Sequence, residues 1–252
     1  MDTIGSIQTS EFVANEQSNR QEVLERLRYL AIQRRCGIMV GRRGSGKSQL
    51  LQHLKTELEL DGISSSVINL GGVTAAELPF MIAADLGLGL ASNSDALTTW
   101  LALQDYAVGC QQSATEHVFI FDQIDRAPAE LAMTLERLLS LFDSTFACLF
   151  AARPGYHPSF KSLFKNHSWL RVDLERLSES EVTQSLAKHL ATEDFDIQIS
   201  KEASSAAHVA SNGRIDKLQR LTELAILAAE AEEIRVINEE IIRSIQSELK
   251  VK

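Results

Sequence analysis

The sequence predicts an α/β fold: a parallel five-stranded sheet with helices on both faces, followed by a small all-helical region. Three observations predict it. Short, almost wholly apolar runs recur between helix-like segments, as strands buried on both faces require. A glycine-rich loop stands between the first such run and the helix after it. Beyond Leu174 the strand-like runs stop and helical periodicity takes over, with all four prolines at or before Pro158.

The elements follow in order. Residues 1–18 are polar and aperiodic and are expected to form a loose arm. From Asn19, the apolar positions Val23, Leu24, Leu27, Leu30 and Ala31 recur at helical spacing. Arg34 and Arg35 follow near the C-terminus of that helix, where cations are favoured. CGIMV (36–40) reads as a buried strand. A helix is expected from Lys47 to Glu59, its stripe Leu50, Leu51, Leu54 and Leu58 facing a core. Next come a strand at SSVINL (65–70), helices near 74–86 and 94–109, and a strand at HVFIFD (117–122). A helix after Pro128 and strands at ACLFAA (147–152) and LRVDL (170–174) complete the sheet. SESE (178–181) supplies an N-cap with an acidic first turn, and helices are expected over 178–191, 200–211, 214–231 and 235–249. The division expected is a nucleotide-binding domain over 19–174 and a helical lid over 175–252.

Composition excludes other classes. The chain has 252 residues, 44% hydrophobic and 23% charged, enough apolar content for a sizeable core. Its formal charge is −9, and both halves are net acidic when split near residue 170, so bulk charge does not make it a basic nucleic-acid domain. Cys36, Cys110 and Cys148 are odd in number and widely spaced, which fits a reducing compartment rather than a disulfide framework. The first thirty residues show no basic head followed by an apolar run, and the longest apolar stretch, Leu78 to Ala91, contains Asp85. Neither a secretory signal nor membrane insertion is expected, and the location expected is cytoplasmic. His53, His117, His157, His167, His189 and His208 show no metal-ligand spacing.

The chemistry sits at Gly41 to Ser48, GRRGSGKS, which matches G-x-x-x-x-G-K-[ST]. Gly41, Gly44 and Gly46 let the backbone curl so that the N–H groups of Arg42, Arg43, Ser45 and their neighbours point at phosphate oxygens. Lys47 can reach the β- and γ-phosphates, Ser48 can ligate Mg²⁺, and Gln49 continues the helix whose dipole adds positive potential. ATP with Mg²⁺ is the cofactor pair this loop takes. VFIFDQID (118–125) places Asp122 at the carboxyl end of an apolar strand, where its carboxylate can hold the metal's hydration shell. Gln123 follows where many hydrolysing relatives carry glutamate. Glutamine can hydrogen-bond a water but cannot accept its proton. Three readings stay open: hydrolysis is slow or absent, Gln123 positions water while Asp125 assists, or Gln123 lies outside the reaction path.

With these motifs in this order the chain resembles the AAA+ ATPases. More narrowly it resembles the group containing ExeA-type general secretion ATPases and the ATP-binding subunits of transposition systems. The segments that carry the likeness are NRQEVLERLRYLAIQRRCGIMVGRRGSGKSQLLQHL (19–54), LERLSESEVTQSLAKHL (174–190) and SNGRIDKLQRLTELAILAAEAE (211–232). The resemblance implies a homo-oligomer with ATP near subunit boundaries, and as partner either DNA with a transposase or a secretion-machinery protein. It implies that Arg153, after the fourth strand, reaches the γ-phosphate. It implies that Arg171, with Lys165 the alternative, is presented to a neighbouring subunit's ATP. Where the family carries Gly-x-x-Arg in the lid, Gly213 is followed by Asp216, which leaves the adjacent Arg214 as the candidate.

Overall fold

This computed structural model describes residues 19–113, 115–142, 145–167, 170–192 and 197–250; the arm expected over 1–18 lies outside them. Helix α1 (Asn19–Ile32) leads into β1 (Gly37–Gly41), α2 (Lys47–Leu60), β2 (Ser64–Asn69), α3 (Glu77–Asp85), α4 (Ala96–Ser113) and β3 (His117–Asp122). A 3₁₀ turn (Ile124–Arg126), α5 (Leu131–Phe142), β4 (Ala147–Ala152), α6 (Pro158–Asn166) and β5 (Leu170–Leu174) complete the sheet region. All five strands are parallel in the order β2-β3-β4-β1-β5.

Burial explains that order. β1, β3 and β4 are buried at every residue, as their apolar sequences require of central strands. β2 and β5 expose several residues each and form the edges. Alternate residues feed two cores. Ile38, Phe119, Phe121 and Phe150 pack with α3 to α6 on one face, and Phe119 stacks on Phe142 at 4.8 Å. Met39, Ile120, Leu149 and Val172 pack with α1 and α2 on the other, and the leucine stripe of α2 is buried there. The carboxyl ends of β1, β3 and β4 therefore open at one rim, the usual ligand crevice of such sheets.

Helix α6 was not expected. His157 caps it by accepting from the Ser159 N–H at 3.2 Å, Pro158 opens it, and Phe160, Leu163 and Phe164 face the core.

The C-terminal region has its own core, in which Val182, Leu186, Ala207, Leu221 and Ile242 are buried. It comprises α7 (Glu179–Thr192), α8 (Lys201–Ser211), α9 (Ile215–Ala231) and α10 (Glu239–Lys250). To these expected helices the structure adds β6 (Gln198–Ile199) and β7 (Val236–Ile237), a two-residue parallel pair too short to leave a periodic signal. Ser178 and Glu181 form a capping box on α7: Glu181 Oε2 accepts from the Ser178 N–H at 2.8 Å and its hydroxyl at 3.0 Å.

Candidate functional site

β1 delivers the chain into the glycine-rich loop, and the loop enters α2 through Gly46 at φ 84°. Gly44 is also left-handed, at φ 78°. A side chain at Gly44 would stand 2.6 Å from Asp216 Oδ1, and one at Gly46 would overlap Ile215 and Arg20, so glycine is needed twice over. The Lys47 ammonium donates to the Gly41 carbonyl at 2.7 Å and the Arg42 carbonyl at 3.2 Å. Burial pulls it below the usual lysine range, with Asp125 and Asp122 acting in the opposite sense.

β3 brings Asp122 to the same place. The Ser48 hydroxyl donates to Asp122 Oδ2 at 2.6 Å, and the Gln123 N–H donates to Oδ1 at 2.7 Å. A hydroxyl and a buried carboxylate side by side are the oxygen donor pair that a hydrated Mg²⁺ takes, so the residues present fit that ion. Gln123 adopts φ 60°, and its side-chain Oε1 accepts from Arg126 Nη1 at 3.0 Å. Asp125 turns to the end of β4. Its Oδ1 accepts the Arg153 N–H at 2.8 Å and its Oδ2 the Arg153 Nε–H at 2.5 Å. The Asp125 side chain is 8% exposed and that of Arg153 38%. Both carboxylate oxygens of Asp125 are therefore engaged.

These groups line one cavity of about 350 Å³ with Arg43, Gly44, Gly46, Gln49 and Arg126. Its remaining wall comes from α9: Ile215, Asp216 and Gln219. The Ile215 N–H donates to the Gly44 carbonyl at 2.8 Å, which seats α9 directly on the loop. Arg214 reaches the same glycine but pairs with Asp216, Nη2 to Oδ2 at 2.5 Å, which raises its own pKa and lowers that of Asp216. Arg42 instead lines a separate hollow with Pro154 and Arg176. Ser45 is buried, and a side chain at Gly41 would stand 2.6 Å from its Oγ. Arg171 lies on the β5 edge, 56% exposed and paired with Asp173 at 2.7 Å, outside this cavity; Lys165 is exposed in the last turn of α6.

Sequence reasoning missed Arg20. From α1 it donates to the Ser45 carbonyl at 2.7 Å and the Gly46 carbonyl at 3.4 Å, and burial lowers its pKa while Glu181 raises it. No local motif marks it; only the fold brings residue 20 to residue 45. A second cavity of about 520 Å³ is walled by Arg20, Leu177, Glu181, Leu186 and Leu218, and it shares Gln49, Ile215 and Gln219 with the first.

A phosphate-loop sheet of this strand order with a helical region seated over the loop defines an AAA+ P-loop ATPase fold. The chain belongs to the AAA domain family, whose family model matches residues 31–158. Among solved structures it is similar to the Aeropyrum pernix ORC2 protein in ADPNP–ADP complexes (TM-score 0.70, 15% identity, 94% of this chain and 70% of that one). It is also similar to Aeropyrum pernix ORC1 in complex with DNA (0.67, 14%, 96% and 68%) and to the Thermotoga maritima RuvB Holliday junction branch migration motor (0.62, 16%, 91% and 69%). At these identities the likeness shows the fold. No curated protein sequence matches the chain.

Proposed function

We propose that the chain binds Mg²⁺-ATP in the first cavity and uses the phosphate state of the nucleotide to set the seating of its helical region, so controlling assembly or partner engagement. The observation that supports this most is that a single cavity has the phosphate loop on one side and Ile215, Asp216 and Gln219 of α9 on the other. A third phosphate entering it acts on both walls together. Mg²⁺, held by Ser48 and Asp122, neutralises phosphate charge when bound. Lys47 exchanges its two carbonyl partners for phosphate oxygens, and the base and ribose extend into the second cavity. The division of labour falls between a nucleotide domain, 19–174, and a lid, 175–252.

The site favours slow hydrolysis. The Gln123 amide cannot accept a proton, and its oxygen is engaged by Arg126. Asp125 spends both oxygens on Arg153 and so acts as the positioning residue for that arginine toward the γ-phosphate. Phosphate release by purified protein tests this: wild type turns over slowly, and Gln123→Glu raises the rate at least about tenfold. Release only in the variant identifies a non-hydrolysing, nucleotide-gated scaffold. A fast wild type that the substitution does not accelerate overturns the assignment of Gln123.

For the partner, the resemblance to transposition ATP-binding subunits supports DNA and a transposase. The similarity to Aeropyrum pernix ORC1, solved in complex with DNA, supports the DNA part of this reading, and a secretion-machinery partner is the alternative. No helix among the described residues is long and apolar enough to cross a membrane; the location proposed is cytoplasmic. Arg171, exposed on the sheet edge and paired with Asp173, is the residue we assign to a neighbouring subunit's site in a homo-oligomer, on the resemblance to the AAA+ group.

A further inference from the structure

Two of the three cysteines meet in the sheet. Cys148 lies in β4, and Cys36 stands one residue before β1. These strands are parallel with Gly37 beside Leu149, so the register carried back by one residue sets Cys36 beside Cys148. Residues side by side in a parallel pair point to the same face, and both cysteines do. Cys148 belongs to the core cluster of Ile38, Phe119 and Phe150, and Cys36 packs against that cluster. Both are thiols, and a side-chain hydrogen bond joins them. Neighbouring strands run about 4.8 Å apart, inside the roughly 4.4–6.8 Å between Cα atoms that a disulfide spans. Neither the odd count nor the wide spacing signals this pair, because strand order makes β1 and β4 neighbours.

The two thiols are unequal. Cys36 is partly exposed, whereas Cys148 is 1% exposed. The hydrogen bond to Cys36, and then burial, hold the Cys148 pKa well above the usual thiol range, so that thiol keeps its proton. An oxidant from solvent therefore meets Cys36, and Cys148 is reached through Cys36 alone.

We propose that Cys36 and Cys148 are a redox-active dithiol that a hydroperoxide converts to a disulfide, with Cys36 the attacking and Cys148 the resolving sulfur. The Cys36 thiolate attacks a peroxide oxygen and the O–O bond breaks. The other oxygen leaves with a proton as an alcohol, or as water from hydrogen peroxide, and Cys36 becomes a sulfenic acid. The Cys148 sulfur then attacks the Cys36 sulfur, its proton joins the departing hydroxyl, and water leaves as the S–S bond forms. Two thiols and one hydroperoxide thus give one disulfide, one water and one alcohol. The sulfurs supply the two electrons that cleave the O–O bond, and a small dithiol reverses the change. The bond ties the start of β1, which feeds the phosphate loop, to β4, which ends just before Arg153.

The test is peptide mapping of the full chain under native conditions, before and after hydrogen peroxide, with thiols counted in parallel. Treated wild type is expected to lose two of its three thiols and to become two hydrogens lighter. It is expected to carry a Cys36–Cys148 cross-linked peptide and to regain both thiols with dithiothreitol. Cys148→Ala removes the resolving sulfur, so the sulfenic acid at Cys36 persists and dimedone captures it at least about tenfold more than in wild type. Peroxide that leaves all three thiols intact overturns the proposal. So does a cross-link through Cys110 or between chains, or oxidation of Cys36 past the sulfenic acid with no disulfide. Equal dimedone capture in wild type and variant overturns the role of Cys148. The wild-type map decides even where the variant fails to fold.

Discussion

Lys47 shows how the loop holds its shape. Its ammonium bridges the Gly41 and Arg42 carbonyls and keeps the loop curled. A different residue governs the response to acid. His117 is buried at the start of β3, with its Nε2 2.8 Å from the Ser66 hydroxyl. Burial pushes its pKa down from 6.5 to about 4, with Asp85 acting in the opposite direction. Between those values the unfolded chain binds a proton that the folded chain refuses. The contribution is therefore fully present above pH 6.5 and is lost as pH falls toward 4, by up to about 3 kcal/mol. Urea unfolding across this window checks it: the slope with pH is expected in wild type and is flattened in His117→Asn. Identical slopes would remove His117 as the cause.

At the scale of elements, the seat between α9 and the phosphate loop is the feature that joins the two regions. Gly44 sits at its centre, left-handed and with its carbonyl bonded to Ile215. Gly44→Ala is expected to cost about 1 kcal/mol from backbone strain alone, and more from its encounter with Asp216 and Arg214. Denaturant unfolding reads the cost, and nucleotide affinity should fall with it; a variant as stable and as tight as wild type would show that the seat is not close. This seat also marks where the sequence stopped being legible. Strands such as HVFIFD and ACLFAA announce themselves because burial on both faces leaves no polar position. The loop is legible because its glycines and lysine are neighbours in the chain. Arg20, Ile215 and Gln219 are invisible there because their roles come from packing of α1 and α9 against a loop distant in sequence. Asp125 was expected near the reaction, but its engagement by Arg153 depends on the distance between the ends of β3 and β4. Helix α6 hid behind a short amphipathic run opened by Pro158.

On the scale of the whole molecule, the −9 charge supplies no bulk attraction to DNA, so a DNA partner would have to be met by local loops or by other chains. The exposed Arg171 on the β5 edge gives assembly a defined test. Light scattering is expected to show a larger species with ATP than with ADP or no nucleotide, and Arg171→Ala to lose that shift. A wild type of one size in all three states would remove the arginine from this role. All of this stands on nucleotide binding at the loop. Calorimetric titration of Mg²⁺-ATP into wild type and Lys47→Ala is the most direct measurement of it. Saturable binding in wild type, weakened at least about a hundredfold in the variant, is the outcome expected. Equal affinity in the two proteins, or no binding to wild type, would contradict it.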